Sequence, residues 1–193
     1  MPTLLARLTF LAPGLNIETP PTSGDNIAMI SKGNADIGIG VYTALPSRFH
    51  SRSLYDESLV CVVRRDHPVV KQGLTLDRFI DLLHISVIIT GQGESNLDQA
   101  LAQQGLKRRI AVKLPHFLAA AMITAESDMI LSLPRQLAHR LALTTPLAIL
   151  EMPFALPSFT PSMIWHERRH HDPAHVWLRK QIVEVIDELA SNT

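Results

Sequence analysis

Between Thr75 and Met152 the sequence switches repeatedly between two hydrophobic periods, and this alternation constrains the fold more than any other feature. Helical spacing marks residues 75–83, 95–104, 117–125 and 135–143, and short strand-like runs lie between and after them at 85–90, 110–114, 129–133 and 147–152. Strict alternation of this kind predicts an α/β fold with parallel sheets and helices on both faces.

The flanking sequence extends the pattern. Leu4, Leu5, Leu8 and Leu11 fall at helical spacing and Pro13-Gly14 stops them. Residues 15–19 read as a strand, 25–32 as a short helix ended by Gly33, 36–40 as a buried strand, and 54–65 as a long β-rich run. Three prolines between 153 and 161 describe an extended path unsuited to a central strand. A strand at 162–166 follows, then a final helix at 173–189 whose apolar face carries Val176, Leu178, Ile182, Val185, Ile186 and Leu189.

Composition narrows the function classes. With 193 residues, 46% of them apolar, the chain can bury a core without staples. Lys plus Arg balance Asp plus Glu at 18 each, and the largest basic group is Lys107-Arg108-Arg109, so this stretch encodes no nucleic-acid surface. The single cysteine, Cys61, lies in the apolar run 59–63 and reads as a buried, inert thiol. Without a disulfide framework the chain suits a reducing cytoplasm. Its longest apolar run, 117–123, is far short of a bilayer span, and the first residues lack the plan of a signal peptide; no membrane partner and no export are expected.

One string fits a catalytic signature. His166-Glu167-Arg168-Arg169-His170 matches the zinc-protease pattern, which works only when a single helix puts both imidazoles on one face with the glutamate beside a zinc-bound water. Here the string follows the strand-like Ser162-Met163-Ile164-Trp165, and the next helix starts at Asp172-Pro173, a cap followed by proline at the first helical position. Val176 stands where one zinc-protease group has its third histidine, and Glu188 lies on the helix that begins only after the string. The expectation is a solvated polar turn, with no metal, no cofactor and no catalytic residues.

Polar groups also gather at predicted strand ends, where open parallel sheets bind ligands. Thr90-Gly91-Gln92-Gly93 ends one strand and runs into a helix capped by Ser95, and Pro115-His116-Phe117 joins another strand to its helix, setting an imidazole beside an aromatic face. Together they suit a small aromatic ligand with a polar head. Tyr42, after the strand ending at Gly40, joins them if the two halves of the chain pack as separate lobes.

Several segments, taken together, resemble one family. Asp36-Ile37-Gly38-Ile39-Gly40, Ser51 to Glu57 running into Val60 to Pro68, Pro115-His116-Phe117, Leu131-Ser132-Leu133-Pro134, Trp165-His166, Asp172-Pro173-Ala174-His175 and Trp177-Leu178-Arg179 look like the regulatory domain of LysR-type transcriptional regulators. The likeness spans essentially the whole chain and is strongest to the branch that responds to aromatic acids and flavonoid-like inducers. It implies two Rossmann-like lobes of the type 2 periplasmic-binding-protein kind. Lobe one comprises 1–63 and 154–193, lobe two 64–153, and an aromatic carboxylate-like inducer sits between them. The resemblance carries Thr90, His116 and Phe117 into the pocket, with Tyr42 and Phe154 added by position alone. It further implies a homo-oligomer that meets DNA only through an N-terminal helix-turn-helix absent from this chain. The alternative on the same fold is a solute-binding receptor, which needs an export signal.

Domains of that family open with a strand ahead of this chain's first helix, so a neighbouring strand is expected to be left with unpaired backbone groups. Adding that strand back is therefore expected to raise the midpoint of thermal unfolding, and equal midpoints for the two chains would refute the expectation.

Overall fold

The apolar run at Leu59 forms a strand buried on both faces, with Val60, Cys61, Val62 and Val63 all fully inaccessible. A computed structural model places it inside one of two compact units and describes residues 2–20, 25–88 and 95–191. Unit 1 comprises Met1–Asp56 and Thr160–Thr193, and unit 2 comprises Glu57–Phe159. The chain thus divides at 56/57 and 159/160, where the sequence reading had put the divisions at 63/64 and 153/154.

In chain order the elements are α1 (Pro2–Leu11), α2 (Asn26–Lys32), β1 (Gly38–Gly40), β2 (Phe49–Ser53), β3 (Leu59–Arg64), α3 (Pro68–Gln72), α4 (Leu76–Asp81), β4 (Leu83–Val87) and α5 (Asn96–Ala102). There follow β5 (Arg109–Leu114), α6 (Phe117–Ala125), β6 (Ile130–Pro134), α7 (Arg135–Ala142), β7 (Leu147–Leu150), β8 (Ser162–His166), a 3-10 turn (Glu167–Arg169) and α8 (Pro173–Ser191).

Unit 2 is a five-stranded sheet of order β5-β4-β6-β3-β7. Its strands are not all parallel, as the alternation had suggested: β4 runs parallel to β5 and β6, whereas β3 is antiparallel to β6 and β7. The crossover helices α5 and α6 make the parallel part. β3 enters from the other unit without such a crossover, so nothing forces it into the same direction. Successive β3 residues feed opposite cores. Val60 and Val62 meet Ala120 and Ala121 of α6 and Ala138 and Leu141 of α7, while Cys61 and Val63 meet Val69, Phe79, Leu97 and Leu101 of α3, α4 and α5. A strand with helices on both sides must be apolar where they cover it, and β3 is from Leu59 to Val63, with only Arg64 at its end charged. Burial pushes the Cys61 thiol up to about 12, so it is an inert core group.

Unit 1 holds a three-stranded sheet of order β1-β8-β2, antiparallel throughout. Met163 and Trp165 of β8 pack with Leu4 and Leu8 of α1 and Ile182 and Val185 of α8. Arg7 clamps the two helices together through a bidentate pair with Glu188, at 2.5 and 2.6 Å. The strand expected at 15–19 does not form; residues 15–20 run without turn, bend or ladder. Their alternating Leu15 and Ile17 carry the right pattern, but a strand exists only where its backbone groups find a partner.

α7 shows how one buried charge can organise a unit. Its cap residue, Pro134, offers no side-chain acceptor. The carboxylate of Glu57, only 5% exposed, substitutes by accepting from the N–H groups of Arg135 and Gln136 at 3.1 and 3.3 Å and from that of Ser58 at 2.9 Å. The negative charge also sits at the positive end of the helix. Replacing Glu57→Ala takes the acceptor from the Gln136 and Ser58 N–H groups, while the Arg135 N–H keeps the Ser58 carbonyl at 2.9 Å, and is expected to cost about 2–3 kcal/mol, with Glu57→Gln losing roughly half as much. Urea unfolding of the three proteins checks the order.

Candidate functional site

The parallel strands β5, β4 and β6 all end on the same side of unit 2. β4 pairs with β5 out to Val87 opposite Leu114, and the Ile88 N–H donates to the Leu114 carbonyl at 3.0 Å, which ends the ladder. α5 then leads from β4 to β5, and α6 leads from β5 back across to β6 on the opposite face. Where consecutive crossovers leave a sheet in opposite directions, the strand ends part and leave a crevice; this is the general position of ligand sites in open α/β sheets.

His116 and Phe117 stand at this point. His116 is the cap of α6 in an extended conformation (φ −128°, ψ 117°), and its imidazole makes no capping hydrogen bond and lies exposed. Its carbonyl accepts the first helical bond, from Ala120 N–H at 3.0 Å, so the N–H groups of the first turn lie beyond the intrahelical ladder. Phe117 is half-buried with one side against the Val60 and Ala121 core. Thr90 lies outside the described residues. Phe154 packs within unit 2 edge-on to Phe79, with ring centres 5.6 Å apart. Tyr42 belongs to unit 1, where its hydroxyl lies 2.7 Å from where a β-carbon on Gly38 would stand. The hydroxyl is buried without a hydrogen-bond partner at good geometry, although the Asn26 side chain faces it. Burial accordingly raises its pKa. The structure thus brings together His116 and Phe117, which are adjacent in sequence, while Tyr42 and Phe154 sit in separate packing environments.

The zinc-like string is divided between a strand end and a turn. His166 ends β8, Glu167 to Arg169 form the 3-10 turn, and α8 starts at Pro173 with Asp172 accepting from the His175 N–H at 3.1 Å. Each member has its own local role. His166 accepts from the Arg168 N–H at 3.2 Å, the Arg168 guanidinium bonds the carbonyls of Ile30 and Ser31 at the end of α2, and Glu167 bonds His50. His170 stacks on His50 at 3.8 Å and accepts from the Trp165 indole at 3.3 Å. Burial, then the neighbouring His50 and His171, hold its pKa below the ordinary histidine value. His50 is the member of this group that the sequence did not reveal, because β2 reaches it only through pairing with β8. Among the described residues, no cluster of three or more His, Cys, Asp or Glu side chains is arranged to hold a metal ion.

Two open cavities mark unit 1. One, of about 480 Å³, is lined by Arg52, Trp165, Arg179 and Lys180 among others, with the Arg179 guanidinium 4.3 Å above the Trp165 ring. The other, of about 790 Å³, lies beside β1. Neither was visible in the sequence, since each is assembled from separate elements and no local motif marks it.

Behind the candidate crevice, α5 is anchored by a buried ion pair. Arg108, 4% exposed in its side chain, meets Asp98 at 2.7 and 3.1 Å, and the Ser95 hydroxyl adds a third bond. Burial works against the Asp98 charge, but Arg108 and Ser95 outweigh it and hold the carboxyl below its usual value. His84 lies nearby with no exposed surface. One ring nitrogen, Nε2, must carry the proton because it bonds the Phe79 carbonyl at 2.7 Å, and Nδ1 finds no partner.

Three comparisons bear on this arrangement. The family described as LysR substrate binding domain matches residues 1–187. The HTH-type transcriptional activators NagR of Ralstonia sp. and NahR of Pseudomonas putida are each 32% identical over 189 residues, covering 97% of this chain. The chain spans 63% of their length, just under two thirds. The solved regulatory domain of MexT, a transcriptional activator in Pseudomonas aeruginosa, superposes with a TM-score of 0.81 at 26% identity, covering 95% of this chain and 90% of that one. Among the described residues, no helix is long and apolar enough to cross a membrane.

Desolvation lowers the His84 pKa to about 4. The unfolded chain then binds the proton more tightly than the folded one, so the effect on stability is small above about pH 6.5 and grows as pH falls toward 4. Between pH 7 and pH 5 it is expected to remove about 2 kcal/mol. Urea unfolding at both pH values should show this loss shrinking in His84→Gln; an unchanged loss would place the titration elsewhere.

Proposed function

Because this chain belongs to the LysR substrate binding domain family, we propose that it senses a small effector for a transcriptional regulator, and that the effector is an aromatic carboxylate. The observation that carries the reading is that an exposed imidazole and a half-buried phenyl ring stand next to each other after β5, at the start of a helix. A carboxylate there accepts from His116 and from the free first-turn N–H groups of α6, whose positive end favours an anion. The phenyl edge of Phe117 offers an aromatic ring a favourable offset contact. In this proposal Thr90, Tyr42 and Phe154 are further contacts, subordinate to His116 and Phe117.

Binding rather than catalysis is the task this site fits. A ligand that prefers one of two conformations shifts their populations by its differential affinity. Contact with DNA belongs, in this reading, to residues outside this chain, since the relatives named as HTH-type activators are longer than the region matched and this chain carries no net charge. We also infer self-association, supported by the exposed Leu118, Met122 and Ile123 on α6. The cytoplasm is the compartment a partner of chromosomal DNA requires.

A thermal-shift panel of benzoate- and salicylate-like acids tests the site. At least one acid is expected to raise the unfolding midpoint of the wild-type protein, and His116→Ala to weaken its binding about tenfold, the loss of about 1.4 kcal/mol that one charge-assisted hydrogen bond supplies. Indifference of both proteins to every acid would remove the proposal.

A further inference from the structure

Helix α8 serves more than the core it closes. Leu178, Ile182 and Val185 pack in that core with Met163 and Trp165 of β8, whereas Val176, Arg179, Lys180 and Val183 recur at helical spacing on an adjoining stripe and line the 480 Å³ cavity. β2 is an edge strand of the sheet, and its Arg52 stands opposite Met163 in the register with β8. Directly opposed residues share a face, so Arg52 extends the face that α8 covers. The cavity is thus floored by β2 and β8, roofed by α8 and built wholly within unit 1.

Its charges do not balance. Glu184, the carboxylate of the lining, accepts from Gln181 Nε2 at 2.9 Å and lies 3.7 Å from both Lys180 and Arg7, and Arg7 in turn holds Glu188. Lys180 and Arg7 thereby answer Glu184 and Glu188, which leaves Arg52 and Arg179. Arg52 is exposed and makes no ion pair or side-chain hydrogen bond with a described residue. Arg179 is half-buried against the Trp165 ring and forms no ion pair with a described carboxylate. Asp172, whose charge it feels, is taken by Arg169 at 3.0 Å. Burial accordingly holds the Arg179 pKa below the ordinary arginine value, and a guanidinium withdrawn from water without a counterion is costly. Its position is nevertheless fixed. Nη1 donates to the Arg169 carbonyl and His175 Nδ1 at 3.1 and 2.5 Å, and Nη2 to the His170 carbonyl at 2.8 Å, while Nε makes no bond to a described residue.

We propose that this cavity is a ligand site for a small organic dianion, whose two charges meet Arg52 and Arg179 and whose apolar body lies against Met163, Val176 and Val183. Two charges are required because two cations stand unanswered; a neutral ligand answers neither and a monoanion only one. An apolar body is required because the remaining walls are apolar, with Val176 left 44% exposed. The cavity volume falls within the range of about 300–1,000 Å³ of small-molecule sites. A phosphate monoester, with both charges on one head, and a dicarboxylate share this chemistry, and guanidinium groups bind either through paired hydrogen bonds. Because Arg52 belongs to β2 and Arg179 to α8, the ligand ties the edge strand to the helix above it. The site lies in unit 1 and does not depend on the reading of His116 and Phe117 in unit 2.

The probes are phenyl phosphate and phthalate, both close to doubly charged at about pH 7.5, with benzoate, benzamide and inorganic phosphate as controls. Calorimetric titration uses His116→Ala as the parent, so that the imidazole of unit 2 plays no part. At least one dianion is expected to bind one-to-one, about tenfold more tightly than benzoate or inorganic phosphate, and benzamide not to bind. Tighter binding of phenyl phosphate assigns the site to phosphate monoesters, and tighter binding of phthalate to dicarboxylates. Arg52→Gln alters an exposed side chain without a partner; it should leave the unfolding midpoint unchanged and weaken dianion binding about tenfold. Arg179→Gln is expected to weaken binding and also to lower the midpoint, because the turn carbonyls lose their donor. In Trp177→Phe, where Trp165 is the remaining indole, the bound dianion should change the fluorescence. The proposal fails if neither dianion binds, if benzoate or inorganic phosphate binds as tightly, if Arg52→Gln binds like its parent, or if Trp165 emission does not respond.

Discussion

Unit 2 depends on the burial of β3 on both faces. Its five strands can be a sheet core only because Val60 to Val63 presents apolar side chains to two helical layers at once, with Val60 and Val62 to one and Cys61 and Val63 to the other. Each of these side chains contributes on the order of 1.5–3 kcal/mol when taken out of water, and none has an exposed face at which the strand could tolerate a polar group. β3 also supplies the antiparallel partner for both β6 and β7. The parallel trio β5-β4-β6 is therefore fastened along the β6 edge, and the ends of β4 and β5 are held where His116 and Phe117 project.

The electrostatics of unit 2 serve the same scaffold. Glu57 and the Asp98–Arg108 pair are buried charges whose partners are helix N–H groups or each other. Burying an ion pair seldom adds stability by itself, because desolvation offsets most of the attraction, but removing one partner leaves a charge stranded. What such pairs fix is position. Glu57 sets the start of α7, and Arg108 ties the start of α5 to the approach to β5. His84 remains neutral beside them because its Nε2 has the Phe79 carbonyl as acceptor, while desolvation penalises a second proton.

Much of this was legible in the sequence because it follows from period and punctuation. The helices capped by Asp25, Thr75 and Ser95 begin where those side chains accept from the backbone, and the string from His166 to His170 falls at a strand end and turn, as Asp172-Pro173 implied. Three kinds of information were not local. The direction of β3 relative to β6 depends on how the chain enters the unit. α3, five residues behind His67, is too short to show a period, and only its proline and the following Gly73, which adopts φ +79°, mark its ends. Residues 15–19 have the alternation of a strand, yet whether they become one depends on a partner elsewhere. For the candidate site, the adjacent His116 and Phe117 stand together for a reason the sequence contained. The cavity around Trp165 and Arg179 joins β2, β8 and α8, and no linear pattern announces it.

That last distinction explains how these two cavities arise in unit 1. In unit 2 the crossover helices α5 and α6 each cover the strands they connect, so helical cover and sheet width are matched by the chain path itself. In unit 1 the covering helices come from opposite ends of the chain, α1 and α2 from the beginning and α8 from the end, and β8 is inserted between β1 and β2. Their apolar faces were set by helical period and not by the number of strands beneath them. Leu4, Leu8 and Ile182 therefore serve two surfaces, closing over Met163 and Trp165 while also lining the open space next to β1. Along its other edge β1 pairs with no described strand; three residues long, with Gly38 and Gly40 on either side of Ile39, it has too little side chain of its own to close the space that the helices roof.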